Sequence, residues 1–230
     1  MKKLYEKHEF LITMILIISY IIINSICMNN FGTGDYRSTI INTILSILIL
    51  IFIIKIDKVK YFGLTKITSY KKYLYFIPLI ILISVNLWGG INLDNKISYI
   101  IFYILTMINI GFLEEIIFRG FLFKMMEKDS IKSAVIVSSL TFGIGHILNL
   151  LNGADLIPTL LQIIYATSTG FMFVIIFIKS KSIMPCIITH SLVNALSVFE
   201  VSTFITIYIA PIILTIIPII YSIYLIKKIK

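Results

Sequence analysis

Three short motifs in the second half of the chain place ionisable side chains in long apolar surroundings. The motifs read EEIIFR, FGIGH and HSLVN. Their polar members are Glu114, Glu115, Arg119, His146, His190 and Asn194. Carboxylates and imidazoles transfer protons, and an amide or an imidazole can stabilise a developing negative charge. These residue types indicate acid–base chemistry if the fold brings them together.

The composition predicts that lipid surrounds these motifs. Hydrophobic residues make up 59% of the 230 residues, and the mean hydropathy is +1.02. A soluble domain could not cover so much apolar surface. The net charge of +9 comes from short lysine clusters between apolar runs, which favours a membrane over a nucleic-acid partner. The sequence therefore predicts an all-α membrane protein with one domain, residues 1–230.

Eight apolar runs are long enough to span a bilayer as helices of about 20 residues. They cover residues 10–29, 38–56, 73–91, 97–118, 131–151, 157–178, 183–200 and 203–226. The first run is too long for the core of a signal peptide and lacks a small-x-small cleavage site, so we interpret it as a span. The sequence therefore predicts a polytopic bundle of about eight transmembrane helices with the reactive residues inside it.

Basic residues alternate along the chain. Of the 20 lysines and arginines, all but Arg37, Lys96 and Arg119 flank the spans on one side. The positive-inside rule therefore predicts that both termini are cytoplasmic. The stretch 56–72, which mixes aromatic residues with lysines, suits a cytoplasmic segment at the membrane interface.

Helical spacing divides the motif residues into pairs. Glu115 and Arg119 are four residues apart, so they share a helix face and can form a buried ion pair. Glu114 is rotated by about 100° and has no partner on its own helix, which leaves it available for chemistry. His190 and Asn194 are also four residues apart and present two hydrogen-bonding groups together.

The fifth span carries the second motif, FGIGH. Phe142 and His146 lie four residues apart, and Gly143 and Gly145 remove bulk between them. We expect a neighbouring helix to approach closely there.

Depth in the membrane supports convergence of the polar residues. Counted from the flanking charged residues at 1.5 Å per residue, Glu114, His146 and Asn194 lie about 20 Å deep, and His190 about 14 Å deep. The three helices can therefore bring these side chains to similar depth.

Each feature also has a structural interpretation. An intramembrane histidine often only bonds two helices together. Cys186 precedes His190 by four residues, which permits a Cys–His nucleophilic pair, but its apolar surroundings favour an inert core thiol. The run ATSTG at 166–170 favours close helix packing over a substrate groove.

The ordered set of motifs resembles the EExxxR, FxxxH and HxxxN motifs of the CPBP family, the CAAX-protease and bacteriocin-processing intramembrane endopeptidases. The resemblance covers about residues 60–200. It implies that Glu114 and His146 activate a water molecule. It also implies that His190 and Asn194 stabilise the oxyanion, while Glu115, Arg119 and Phe142 support the site.

The resemblance implies a peptide or membrane-anchored protein as substrate. The family includes prenyl-protein processing, peptide maturation and bacteriocin immunity, and the abundance of Ile, Lys and Asn suggests an AT-rich microbial genome and favours the latter two. Glu114, His146 and His190 are acceptable zinc ligands, but we favour a site with no obligatory metal. A proton-coupled transporter and a non-catalytic membrane scaffold stay as alternatives.

Overall fold

The computed structural model describes residues 1–67 and 76–228. Within these ranges the chain is helical, and its one β-type pairing is an isolated antiparallel bridge between Ile91 and Glu200. The all-α polytopic fold is therefore confirmed. Lys71, Lys72 and Lys230 lie outside the described residues, as do the first three residues of the third predicted span.

The helices follow the predicted apolar runs. They are α1 (Lys2–Lys7), α2 (Glu9–Phe31), α3 (Tyr36–Lys55), α4 (Ile77–Ser84), α5 (Ile97–Glu115), α6 (Ile131–Gly145), α7 (Leu148–Leu151), α8 (Leu156–Ser180), α9 (Met184–Leu196) and α10 (Ala210–Lys228). A π-helix, Ile116–Phe123, and a final turn, Lys124–Met126, continue α5.

Six of the eight predicted spans form helices long and apolar enough to cross a membrane within the described ranges. They are Glu9–Phe31, Tyr36–Lys55, Ile97–Met126, Ile131–Leu151, Leu156–Ser180 and Ile205–Lys227. The third and seventh runs form shorter apolar helices, Ile77–Leu87 and Met184–Phe199. Both begin with a proline in their first turn, where its fixed φ suits a helix start.

Polar contacts gather one set of termini and loops at the same end of the bundle. The ion pairs there are Lys2–Asp57, Lys58–Glu6 and Lys128–Glu9. The Ser182 hydroxyl donates to the Thr65 carbonyl at 2.6 Å and adds the α8–α9 connection. We call this the lysine-rich end, residues 2–9, 57–66, 124–130 and 180–183.

The opposite end collects the other connections. The Asn92 N–H donates to the Phe199 carbonyl at 2.8 Å, and Ser25, near the end of α2, donates to Asn152 at 3.3 Å. We call this the far end, residues 32–35, 90–96, 152–155 and 197–203. The alternation of loops predicted from the lysines is thus reproduced by direct contacts.

The core runs along α5 and α8. Every residue from Glu115 to Phe123 and from Met172 to Phe177 is buried, as expected for helix segments surrounded by other helices. The π-helical stretch departs from the uniform α-helix that the spacing suggested. The Ser138 hydroxyl donates to the Phe118 carbonyl within it at 2.9 Å, and such widened turns often occur at functional sites.

Candidate active site

The predicted pair of Glu115 and Arg119 is present and fully enclosed. Arg119 Nη1 lies 3.1 Å from Glu115 Oε1, and neither side chain is exposed. The guanidinium carbon also stands 4.2 Å from the ring centroid of Phe142 and 5.7 Å from that of Phe173. A cation over an aromatic face is attracted by the ring. The carboxylate and the rings offset part of the cost of burying this charge, although the guanidinium nitrogens and Glu115 Oε2 have no hydrogen-bond partner among the described residues.

A glycine makes room for this arginine. A Cβ atom on Gly170 would lie 2.8 Å from Arg119 Nη2 and 3.1 Å from Phe142 Cδ1. Any side chain at this position of α8 would therefore collide with the buried pair. The ATSTG run contributes close packing here, as predicted, although Ala166 and Thr169 of the same run also border a cavity.

Glu114 faces that cavity instead. Its Oε1 accepts a hydrogen bond of 2.6 Å from the Tyr20 hydroxyl on α2. Its Oε2 lies 3.4 Å from His190 Nε2. The side chain has no partner on its own helix, as predicted, but two other helices supply partners that the spacing did not indicate.

His190 lies between the two adjacent glutamates. Its Nδ1 is 2.9 Å from Glu115 Oε1, and its Nε2 points toward Glu114. An ionised Glu115 can only accept a hydrogen bond, so the proton of this contact resides on Nδ1. The contact fixes the ring orientation and leaves Nε2 as the nitrogen that faces the cavity.

A second glycine brings His190 to this position. A Cβ atom on Gly111 would lie 2.7 Å from the backbone nitrogen of Ser191 and 2.9 Å from its Cα. The Ser191 hydroxyl donates to the Ile108 carbonyl at 3.2 Å across the same crossing. Helices α5 and α9 can approach this closely only because residue 111 has no side chain.

Phe142 connects the charged groups to both histidines. Its ring is edge-on to His146 and to His190, with centroids 5.7 and 5.5 Å apart. It also covers the guanidinium of Arg119. The phenylalanine of the second motif therefore packs against the guanidinium of the enclosed pair and against both histidines.

His146 stands at the C-terminal boundary of α6. Its backbone N–H donates to the Gly143 carbonyl at 3.1 Å, and a short turn leads into α7. Gly143 has the predicted packing role, since a Cβ atom there would be 1.9 Å from Thr167 Oγ1. The prediction for Gly145 is wrong, because no atom lies within 4 Å of a Cβ built there. Gly145 borders the cavity instead.

One cavity of about 490 Å³ receives the polar motif residues. The motif side chains that line it are Glu114, Phe142, His146, His190 and Asn194. Side chains that can bond a peptide backbone line it too, namely Asn24, Ser25, Asn86, Asn149, Asn152 and Gln162. The structure thus brings together the residues that the three motifs singled out, and Glu115 and Arg119 stay behind its wall.

The cavity extends toward the far end of the bundle. Its lining includes Met28, Thr33, Asn152 and Glu200, which lie at or next to that end. No residue of the lysine-rich end lines it among the described residues. The cavity therefore reaches toward one end of the bundle, the far end.

Cys186 has no place in this site. Its thiol is fully buried and donates to the Phe173 carbonyl at 3.4 Å. Both ring nitrogens of His190 face carboxylates, so neither is left to activate the thiol. The structure agrees with an inert core cysteine.

The described side chains do not form a zinc site. Within residues 1–67 and 76–228, no three His, Cys, Asp or Glu side chains are grouped in a way that could hold a metal ion. The proposed ligand His190 already engages Glu115 through Nδ1 and faces Glu114 through Nε2. The geometry of Glu114, His146 and His190 thus does not fit the metal that these residue types permitted.

The contact of Tyr20 with Glu114 was not predicted from the sequence. Tyr20 lies 94 residues from Glu114 in the chain, in a span that contains none of the three motifs. One signal was available: Asn24 follows Tyr20 by four residues, and its amide lies 3.5 Å from the phenol oxygen. Two polar residues on one face of an apolar helix indicate a buried contact.

The fold and the cavity define a class of protein, a polytopic helical membrane protein with carboxylate and imidazole groups that line a cavity within its helical bundle. Residues 96–196 match the family model of the Rce1-like type II CAAX prenyl endopeptidases. This segment, which contains all three motifs, belongs to the CAAX-type intramembrane endopeptidase family, and the family prediction is confirmed. No curated protein and no solved structure matches the chain.

The family match sets the general activity. It supports a CAAX-type intramembrane endopeptidase in general, and a protease of this family implies a peptide or protein substrate. The matched segment is shorter than the predicted 60–200, so the inclusion of residues 60–95 in the core stays a prediction.

Proposed function

We propose that the protein hydrolyses a peptide bond in a small peptide or a membrane-anchored protein, with Glu114 as the general base. The observation that carries this proposal is the shared cavity of Glu114, His146, His190 and Asn194. Four groups suited to hydrolysis line one cavity, and the remaining carboxylate of the motif, Glu115, is fully buried outside its lining. An assembly that only held helices together would not require this separation.

The reaction begins with a water molecule in the cavity beside Glu114 and His146. Glu114 removes a proton as the water oxygen attacks the peptide carbonyl carbon, and the carbonyl oxygen becomes an oxyanion. The Asn194 amide donates a hydrogen bond to that oxyanion. The carbon–nitrogen bond then breaks, and Glu114 returns its proton to the departing amine.

We assign His190 the stabilisation of negative charge beside Glu114. Its Nδ1–H is held by Glu115, which Arg119 holds in turn. When the ring is protonated, its Nε2–H points toward Glu114 and the cavity, where it stabilises negative charge on the carboxylate or on the oxyanion. A chain of contacts thus runs from Arg119 through Glu115 to His190, and His190 lines the same cavity as Asn194.

We further propose that the substrate enters from the non-cytoplasmic side. Both termini and the lysine-rich end are placed in the cytoplasm by the positive-inside rule, and the cavity extends toward the far end. Cysteines introduced at Asp35 and Asp94 should react with an impermeant reagent on intact cells. Labelling at Lys60 and Lys128 but not at those two positions would reverse this orientation.

The hydrolysis is tested with the full chain purified into liposomes. Candidate peptides, with and without a prenylated C-terminal cysteine, are incubated in ¹⁸O-labelled water, and products are identified by mass spectrometry. We expect cleavage with one ¹⁸O atom in the new carboxyl group, unchanged by a chelator. Cleavage that is lost with a chelator and restored by zinc would contradict the metal-free mechanism.

A further inference from the structure

The contact between Tyr20 and Glu114 joins the matched family segment to a helix outside it. The phenol oxygen lies 2.6 Å from Glu114 Oε1, and Tyr20 is 6% exposed. Residue 20 precedes the matched segment, which begins at residue 96. A buried O–H bond to a carboxylate at this distance is of the strong, charge-assisted kind.

We infer that Tyr20 is a positioning residue for the proposed base, so that α2 completes the active site. This inference rests on the proposed function. The phenol can donate its single proton to Oε1 and thereby holds one oxygen of the carboxylate. The other oxygen, Oε2, is left toward His190 and the cavity. Tyr20 therefore selects which carboxylate oxygen receives the proton of the attacking water.

The surroundings of Glu114 leave no substitute for this donor. The other titratable or charged groups that contact it, lie on its own span or line its cavity are, among the described residues, His190, His146, Glu115, Arg119, Tyr103, Tyr165 and Glu200. His190 faces Oε2, and Arg119 is turned toward Glu115. Among the described hydrogen bonds, Tyr20 provides the donor to Oε1.

The phenol also affects the pH at which the base becomes active. A hydrogen bond donated to a carboxylate favours the ionised form. The acid limb of the kcat/KM profile, which reports the free enzyme, therefore moves to higher pH when the hydroxyl is removed.

The test is Tyr20→Phe in the full chain in liposomes, with a peptide that the parent cleaves. We expect kcat/KM near neutral pH to fall about tenfold to a hundredfold, the range for a hydrogen bond to a charged group. We also expect the acid limb to shift to higher pH and part of the loss to be recovered there. A purely structural role would lower the rate at all pH values without moving the limb.

A matched control is available at the lysine-rich end. The Tyr5 hydroxyl donates to Glu9 Oε1 at 2.9 Å, and neither residue lines the cavity. Tyr5→Phe removes the same kind of bond and should leave the pH profile unchanged. If Tyr20→Phe and Tyr5→Phe give the same profile as the parent, the inference is wrong.

A second variant keeps the test decisive if Tyr20→Phe accumulates poorly. Incorporation of 3-fluorotyrosine at position 20 preserves shape and makes the phenol a stronger donor, so the acid limb should move to lower pH. An unmoved limb would contradict the inference. Cleavage by Glu114→Gln at the parental rate would instead refute the proposed function, which separates the two failures.

Discussion

Glu114 and Glu115 are neighbours in the chain but occupy different environments. Glu115 is fully buried against Arg119 and His190, whereas Glu114 borders a cavity and contacts Tyr20 and His190. A rotation of about 100° along the helix separates the two carboxylates. One glutamate therefore belongs to the buried ion pair, and the other faces the cavity, where we propose that it acts as the base.

The largest expected effect is on the enclosed side. Arg119→Ala leaves Glu115 as an uncompensated buried charge, which should lower the free energy of unfolding by about 3–5 kcal/mol. We expect poor accumulation of this variant in membranes, and thermal unfolding in detergent checks the loss. Arg37→Ala is the matched control, because that guanidinium pairs with Asp35 at the surface and surface pairs contribute little.

The double variant sharpens this prediction. Adding Glu115→Gln removes the orphaned charge, so the combination Arg119→Ala with Glu115→Gln should accumulate better than Arg119→Ala alone. A single Arg119→Ala variant as stable as the parent would show that the pair does not support the frame.

The next largest effect is expected on cleavage, from a substitution of a side chain that lines the cavity. Asn194→Ala leaves the proposed base intact and removes the oxyanion donor, so kcat should fall about 10²–10³-fold with little change in stability. Asn109→Ala is the control, since this amide of α5 bonds Thr43 and does not line the cavity. Equal cleavage by both asparagine variants would remove Asn194 from the mechanism.

The smallest expected effect comes from a substitution at the crossing of α5 and α9. Gly111→Ala forces a methyl group against the backbone of Ser191, an overpacking that costs about 1–3 kcal/mol. Since α9 must shift, His190 moves away from both glutamates and cleavage falls as well. At Gly120 the nearest atom is 3.7 Å from an added Cβ, so Gly120→Ala should be neutral. Identical behaviour of the two variants would contradict the importance of the crossing.

The ion pair and the shared depth of the motifs could be predicted because both follow from helix geometry. The spacing of Glu115 and Arg119 fixes their contact, and charge counts fix the ends of the spans. Tyr20 could not be found this way, because its contact depends on how α2 packs against α5. The orientation of His190 was missed for a related reason: the close crossing at Gly111 turns its ring toward the glutamates.

The packing of the helices also determines which glycine faces a neighbouring helix and how long the helices of the third and seventh predicted spans are. Gly143 and Gly145 look equivalent in the sequence, yet only Gly143 faces a neighbouring helix. The runs at 73–91 and 183–200 are apolar enough to span, but their described helices are shorter. Hydropathy reports the solvent of a segment and leaves open where the helix within it begins and ends.

The most direct test of the account compares Glu114→Gln and Glu115→Gln in the same preparation. Cleavage of a peptide and thermal unfolding are measured on each sample beside the parent. We predict that Glu114→Gln unfolds close to the parental temperature and loses cleavage by about 10²–10⁴-fold, the range for a general base. Glu115→Gln should unfold at a lower temperature, because Arg119 loses its buried partner. A well-folded Glu114→Gln protein that cleaves peptide at the parental rate would contradict the central claim that Glu114 is the base.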